Sequence, residues 1–556
     1  MNTSRITGLL ALALIFSGCT TATNEISLDD AVNSIVSGGV KAHYEVLADD
    51  AMEGRMTGEP GYDKAADYVA GQFEALGLTP GGDAGSWYQQ VTFQSYLIDT
   101  ESAVMIVHRD GVDTELTYRE DFGMFSDRVR GFTEVRAEVV YAGYGVHAPE
   151  FGYSDYDNVD VDGKIVAIFN GAPPVIEGTK RSYFSSARTK AREAVSRGAV
   201  GFVSLRSRRS VERFAWERWK KTMGTRPGLT WLSDNGDAAG FFAESRGSVI
   251  INEQVAADLF EGSPLSFEAA RDAAEDSTPA STPLGLEVTL KTTTKHEQFT
   301  SPNVIGIVRG SDPVLSDEYV VYTAHLDHLG RSTEIDGDDL YNGAYDNAMG
   351  VALMIETARA FAEKPPRRSV MFIALTGEER GLLGSDYFVN YPTVPAESLV
   401  ANVNLDMPLF LHPLADLVAF GAEHSSLQAT VADAVAVENF ELSPDPMPEQ
   451  NLFARSDQFS FVQGGIPAIF LVPGYKSLDP EVDGEALFND HLKNHYHKPS
   501  DDLALPVVWS AAERFARANA RIGYSVANDD NRPRWNEGDF YGEKYGRDST
   551  AIASSD

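Results

Sequence analysis

Between Leu28 and Leu78 apolar positions recur with helical spacing. In DKAADYVAGQFEALG (Asp63 to Gly77), Ala66, Val69, Phe73 and Leu76 share one face, and a glycine closes the segment. The pattern then changes to alternation, as in WYQQVTFQSYLI (Trp87 to Ile98), which predicts strands. From about Val135 a second pattern begins. AEVVYAGYG (Ala137 to Gly145), GKIVAIFNG (Gly163 to Gly171) and GAVGFVSL (Gly198 to Leu205) are strand-like, with a helical stretch over Ala187 to Gly198. Ala270 to Pro283, rich in Ala, Asp, Ser, Thr and Pro, predicts an exposed loop or linker. Beyond Pro302 strand and helix alternate. Strands are expected at Asn303–Val308, Tyr319–Ala324, Ser369–Leu375, Leu399–Leu405, Val418–Phe420 and Ala468–Val472. Val351, Met354, Ile355, Ala358 and Phe361 form the apolar stripe of an intervening helix. This is an α/β pattern: a mostly parallel mixed sheet flanked by helices, interrupted by a β-rich insert. The polar tail from Asn528 to Asp556 is expected to be loose.

The chain has 556 residues, too many for one ordinary domain, and 43% are hydrophobic, enough for substantial cores. Lys and Arg number 46 against 82 Asp and Glu, a net charge of −36 that repels nucleic acid and anionic lipid. One cysteine, Cys19, excludes an internal disulfide and a thiolate zinc site. Arg5 and the apolar stretch GLLALALIFSG (Gly8 to Gly18) precede it. That run is too short to span a bilayer, and small residues follow it. The segment resembles a bacterial lipoprotein signal, with Phe16 where leucine is usual. The resemblance implies acylation at Cys19, export, and attachment to the cell envelope through a lipid anchor alone. An ordinary secretory signal is the plainer alternative. No later run is long enough for a transmembrane helix.

In open α/β sheets ligands gather at the carboxyl ends of strands. Those ends carry His325-Leu326-Asp327, then YNGAYDN (Tyr341 to Asn347) just before a helix, Glu378-Glu379, Asn404-Leu405-Asp406, and HKPSD (His497 to Asp501). Each has an ordinary reading. Asp346-Asn347 suits a helix N-cap, a lone histidine suits a hydrogen-bonded core position, and paired glutamates suit a solvated turn. Five together at one sheet edge point to a shared site. Imidazole and carboxylate donors without thiolate suit two divalent metals: zinc, with cobalt or manganese as substitutes. A carboxylate bridges ions about 3.5–4 Å apart. Asp327 is placed to accept the second N–H of His325 and fix its tautomer.

HLD (His325 to Asp327), NGAYDN (Asn342 to Asn347), GEE (Gly377 to Glu379), NLD (Asn404 to Asp406) and HKPSD resemble the co-catalytic zinc aminopeptidases and their glutamate carboxypeptidase relatives. Order and spacing agree over about Leu28–Gly85 and Ser301–Asn528. GYGVHAPEFGYSDYDNVDVDGKIV (Gly143 to Val166) resembles the protease-associated domain inserted in such enzymes. The implied organisation is a signal (1–18), the first part of the peptidase domain (19–134), an inserted protease-associated domain (135–290), the di-zinc catalytic part (291–528) and a tail (529–556). By the same resemblance Asp346 bridges two zinc ions, Glu379 and His497 complete one site, and His325 and Asp406 the other. Glu378 is the implied base, and the Asp346–Asn347 peptide is expected to be cis. His497 is chosen over His491 and His495 because it alone has the Pro499 and Asp501 spacing. In RSDQF (Arg455 to Phe459), Arg455, Asp457 and Gln458 are expected to border the substrate pocket. Gln458 stands where many relatives have histidine, and Pro408 stands where glycine is common.

The implied activity is that of an exopeptidase acting on peptides, an aminopeptidase first. A carboxypeptidase for acidic C-termini, with Arg455 holding a carboxylate, is the nearest alternative. A metal-free receptor on the same fold and a one-zinc cyclising transferase are more distant. Oligomeric state is left open.

Overall fold

The computed structural model describes residues 26–547, apart from the side chain of Glu449, so Cys19 and its leader lie outside the described residues. No described helix is long and apolar enough to cross a membrane.

Four parallel strands form the centre of the main sheet: Ser369–Leu375, Tyr319–His325, Leu399–Asn404 and Ala468–Pro473, adjacent in that order. Their side chains are buried throughout, which explains why they read as unbroken apolar runs and not as alternating ones. Antiparallel strands flank them: Thr282–Val308 beside Ser369–Leu375, and Asp416–Phe420 beside Ala468–Pro473. The parallel register brings His325 level with Leu375, and Thr323 level with Asn404. Three strand ends therefore open at one edge.

Helix Met349–Glu363 packs against Tyr319–His325 and Ser369–Leu375, and is itself covered by helices Ser37–Leu47 and Trp509–Asn528. Val351, Met354, Ile355, Ala358 and Phe361 are all buried, as the stripe implied. The N-terminal helices thus belong to the same layer as the segment after residue 302.

Strand Thr282–Val308 joins the main sheet to a second one. Its first half alternates between buried and more open positions, whereas Ser301–Val308 is wholly buried. That change marks where the strand leaves a half-solvated sheet for a doubly covered one. Thr282–Thr293 pairs with Phe132–Tyr141, and Thr294–Val304 pairs with Tyr88–Ile98. The second sheet continues in parallel through Ile165–Phe169, Gly201–Leu205 and Ser248–Ile251.

The sequence boundary at residue 135 falls inside strand Phe132–Tyr141. Val104–Arg109 and Phe122–Met124, which precede it, already pair within the second sheet. In the other direction, Gly228–Leu232 lies within the 135–290 span yet pairs with Tyr88–Ile98 of the main sheet. Trp231 anchors it there, donating its indole N–H to Asp386 at 2.8 Å and packing edge-on against Tyr387 and Tyr391. The two patterns read along the chain are exchanged in space, because pairing partners of a strand need not be near in sequence.

Two expectations are corrected. Ala270–Pro283 is an open loop only over residues 276–281: Phe267–Glu275 is a helix capped by Ser266, with Phe267, Ala270 and Ala274 buried on one stripe, and a strand begins at Thr282. Its Asp and Glu residues lie outside that stripe, so composition masked an amphipathic period. The tail is not loose between residues 529 and 547. Helix Phe540–Tyr545 buries Phe540 and Tyr541, which pack on Tyr183 and Phe184 of the second-sheet layer and on Phe453 of the main one. Tyr541 donates its hydroxyl to the Thr179 carbonyl at 2.7 Å. Two aromatic residues in a polar stretch are enough to fasten it.

Phe540→Ala is expected to cost about 3–5 kcal/mol, the usual range for deleting a buried ring. Urea unfolding measures the loss. Hydrogen exchange should rise in helix Gly178–Ser185, which the ring covers, before it rises in the main sheet.

Candidate metal centre

His325 is the last residue of its strand, and its Nε2 lies 3.0 Å from Asp406 Oδ1 and 3.2 Å from Asp346 Oδ1. The other Asp346 oxygen, Oδ2, lies 3.2 Å from His497 Nε2, which is 3.0 Å from Glu379 Oε2. Asp346 therefore presents one oxygen to each of two imidazole–carboxylate sets. The structure brings together His325, Asp346, Glu379, Asp406 and His497, the five residues expected as ligands.

A sixth residue joins them. His328 is buried, with Nδ1 2.7 Å from Glu379 Oε1 and 3.9 Å from Asp346 Oδ2, while its Nε2 has no partner among the described residues. Sequence reasoning missed it. The available signal was the second histidine three residues after His325, in HLDH.

Local structure explains the convergence. The Asp346–Asn347 peptide is cis. The carboxylate of Asp501 accepts the N–H groups of Tyr345 at 2.9 Å and Asp346 at 3.1 Å, so HKPSD fixes the backbone that carries the shared carboxylate. Asn347 accepts from Gly350 N–H and Met407 N–H and donates to the Leu405 carbonyl, tying that loop to the one bearing Asp406. Asn347, and not Asp346, thus takes an N–H of the helix's first turn, which leaves the Asp346 carboxylate to the histidines. Gly343 has φ +59°, and a Cβ there would lie 2.4 Å from the His328 ring. No larger residue fits.

Glu378 and Glu379 follow Gly377 in a tight turn, φ +70° at the glycine, and not in a strand. The turn, and not strand alternation, sends their carboxylates to different neighbours. Asp327 holds it: Oδ1 accepts the Glu378 N–H at 3.1 Å and Oδ2 the Glu379 N–H at 3.4 Å. This corrects the role assigned from sequence. His325 Nδ1 faces the backbone carbonyl of Asp327 at 3.1 Å, so the Asp327 carboxylate is free to anchor the glutamates.

Arg55 was also missed. Fully buried, it donates to the carbonyls of Leu47, Leu326, Asn342 and Gly343, clamping the loops that carry His325 and Asp346. Burial lowers it to about 10, with Asp501, Asp346 and Asp327 opposing, so it remains a cation beneath the acids.

Electrostatics separate the carboxylates. Burial raises Glu378 well above the usual carboxylate range; His325 opposes this, and Asp406 and Glu379 add to it. Burial and Asp346 push Glu379 upward, but His497 and His328 prevail and hold it at about 2. Asp346 lies well below its ordinary value despite burial, held there by His325 and His497. Two adjacent glutamates thus differ in proton affinity, the condition for different chemical roles.

A cavity of about 240 Å³ opens over this edge. His325, Asp346, Glu378, Asp406 and His497 line its inner end, and Met407, Met447, Leu452, Phe470, Val472 and Phe488 give it apolar walls. Arg455 lines it as expected. Asp457 and Gln458 do not; both are fully buried behind it. Gln458 accepts from Asn404 at 3.0 Å and donates to the Phe453 carbonyl, while Asp457 accepts from Ser385 at 2.6 Å. Helix Gln458–Gln463 starts there, and its first side chains turn toward the sheet. Gln458 thus supports the strand that leads to Asp406, and Asp457 ties its helix to helix Leu383–Asn390.

Hard oxygen and imidazole donors, no sulfur, and two three-residue sets sharing Asp346 (His325–Asp346–Asp406 and His328–Asp346–Glu379) fit a divalent metal such as zinc. Residues 303–522 match the model of Peptidase family M28. Over that segment the chain is similar to the M28 peptidases. It is 28% identical over 214 residues to aminopeptidase YwaD of Bacillus subtilis, covering 37% of this chain and 40% of that protein. It is 38% identical over 105 residues to a probable zinc metalloprotease of Pyrenophora teres f. teres, covering 19% and 22% respectively. The matches thus span two-fifths or less of these relatives' lengths. An aminopeptidase structure from Aneurinibacillus sp. strain AM-1 shares the fold, with TM-score 0.51 and 19% identity, covering 90% of this chain and 96% of that one.

Asp327→Ala removes the acceptor of two amide N–H groups in a partly buried turn; each costs up to about 1–3 kcal/mol when left unsatisfied. The expected result is lower stability, with amide exchange accelerated at Glu378–Gly381 ahead of the flanking strands. Unchanged exchange in that turn would count against the anchoring role.

Proposed function

We propose that this protein is a two-zinc exopeptidase, foremost an aminopeptidase, with Glu378 as general base. The observation that carries the reading is Asp346 offering one oxygen to each of two histidine–carboxylate sets beside a carboxylate of raised proton affinity. His325 and Asp406 would hold one ion, Glu379 and His497 the other, with Asp346 common to both and His328 steadying Glu379. Bound there, the two ions would supply Lewis acidity, lowering the pKa of a water and polarising the scissile carbonyl. Glu378 accepts the proton of the attacking water and passes it to the leaving amine.

The cavity gives direction to the substrate. Its apolar walls, Met407, Met447, Leu452, Phe470, Val472 and Phe488, favour a substrate residue with an apolar side chain beside the proposed metal centre. Peptides are therefore the proposed substrates. The layer built on the second sheet, with the segment Gly143 to Val166 that leads into strand Ile165–Phe169, is read as a protease-associated module that supplies none of the proposed metal ligands.

Glu378→Gln should keep about two zinc ions per chain while kcat falls by about 10²–10⁴, the usual worth of a general base. Glu379→Gln should instead lose metal from one set, because a neutral amide is a poor ligand, and excess zinc should partly restore it. Metal analysis beside turnover of aminoacyl-nitroanilides and N-blocked dipeptides reads both. Metal loss in Glu378→Gln with full metal in Glu379→Gln would reverse the roles. Turnover of blocked dipeptides alone would replace aminopeptidase with carboxypeptidase.

We also propose attachment to the cell envelope through acylated Cys19, supported by the charged start, the apolar run and the single cysteine at its end. Cys19→Ser should move the protein to the soluble fraction and abolish lipid labelling; retention on membranes would sink the assignment.

A further inference from the structure

The carboxylate of Glu378 lines the cavity and accepts no hydrogen bond among the described residues. Its aim therefore depends on the turn that carries it. That turn has little stiffness of its own, because it lies between left-handed positions: Gly377 at φ +70°, Gly381 at +107° and Leu382 at +60°. Asp327 holds the first half through the N–H groups of Glu378 and Glu379. The second half is held from elsewhere in the chain. Arg380 Nη2 donates to the carbonyl of Pro227, its one hydrogen bond among the described residues.

Pro227 precedes strand Gly228–Leu232, which comes from within the span of the insert. Three further contacts fix its place. The strand pairs antiparallel with Tyr88–Ile98, and Trp231 donates to Asp386 in helix Leu383–Asn390, the helix that follows the turn. Arg226 donates to the Ser332 hydroxyl in strand Gly330–Ile335, whose partner strand Asp338–Tyr341 leads into the loop of Asp346. The carbonyl that receives Arg380 is thus tied to both loops that carry the proposed chemistry.

The place is an expensive one for a guanidinium. Burial lowers the pKa of Arg380; Asp327 opposes this, and Arg226, a second cation nearby, adds to it. A neutral side chain would avoid both penalties but could not span to the Pro227 carbonyl with a directed N–H.

We propose that Arg380 is a positioning residue for the base: its grip on the Pro227 carbonyl fixes the turn that aims Glu378, and through it the insert takes part in the reaction. The inference rests on Glu378 being the base. Proton transfer needs hydrogen-bonded geometry, and a misplacement of about 1 Å costs up to about 10²-fold in rate.

A double-mutant cycle tests this. Arg380→Gln is expected to lower kcat on an aminoacyl-nitroanilide by about 10- to 100-fold, with KM within about threefold and zinc content and melting unchanged. Arg380→Lys keeps one donor without the fork and should recover part of the loss. Amide exchange should quicken in Arg380→Gln at Gly381 and Leu382, whose N–H groups close the turn on the Glu378 carbonyl. In a Glu378→Gln background Arg380→Gln should cost less than about threefold, because the group it aims is already gone. A residue that only supports the fold would cost the same in both backgrounds. Trp231→Ala loosens the strand that follows Pro227; it should lower kcat too, and add little in the Arg380→Gln background. Full kcat or unchanged exchange in Arg380→Gln, loss of zinc with it, or an undiminished loss in Glu378→Gln overturns the proposal. A full additional loss from Trp231→Ala in the Arg380→Gln background overturns the part given to the insert. Undiminished turnover in Glu378→Gln alone would instead overturn the base assignment on which the inference rests.

Discussion

Gathering acids in a buried place is the constraint on which the rest of this structure depends. Asp327, Asp346, Asp457 and Asp501 are buried together with the carboxylates of Glu378 and Glu379 at one sheet edge, and Asp406 stands beside them. Uncompensated, such a cluster would be prohibitively costly, since burial disfavours each charge and neighbours repel. The fold answers in layers. Asp327 and Asp501 take backbone N–H groups, and Asp346 and Glu379 take imidazoles. Arg55 lies beneath as a fixed cation. Glu378 is left with the weakest compensation, and its raised proton affinity is the direct result. The carboxylate proposed as the base is the one the surrounding structure does least to neutralise.

Much of this edge was legible in the sequence because parallel sheets concentrate chemistry at strand ends. His325, Asp406 and the two glutamates each follow an apolar run, so the run located the end and the polar residue located the site. Asp346 and His497 were legible by motif, since neither lies on a strand. Arg55 was not legible. It sits in an irregular segment nearly 300 residues before the loops it clamps, and its role is to satisfy carbonyls, which any arginine does somewhere. His328 was hidden by its neighbours, because HLD already accounted for the motif. Asp327 was found but misassigned, since proximity in sequence to His325 suggested a partner that the backbone turn supplied instead.

The less legible part of the fold has a different cause. Strand Gly228–Leu232 reads like its sequence neighbours and pairs with Tyr88–Ile98, more than a hundred residues away. Period and composition report which face is buried, not which partner buries it. The tail shows the same limit at smaller scale: Phe540 and Tyr541 amid polar residues become a clasp only when Tyr183, Phe184 and Phe453 are present to receive them.

Thr282–Val308 is one unbroken strand shared by both sheets, and that continuity has a mechanical meaning. Hinged closure concentrates its rotation in a few residues whose backbone is unconstrained by a ladder. Here the crossing point is itself laddered, with Thr292 and Thr293 paired on one side of it and Thr294 and Lys295 on the other. Gly228–Leu232 cross-braces the join, and the C-terminal clasp fastens it again at a distance. Bending at that point would break backbone hydrogen bonds in both sheets at once. The insert is therefore braced against the main sheet like a doorframe and not hung on it like a door.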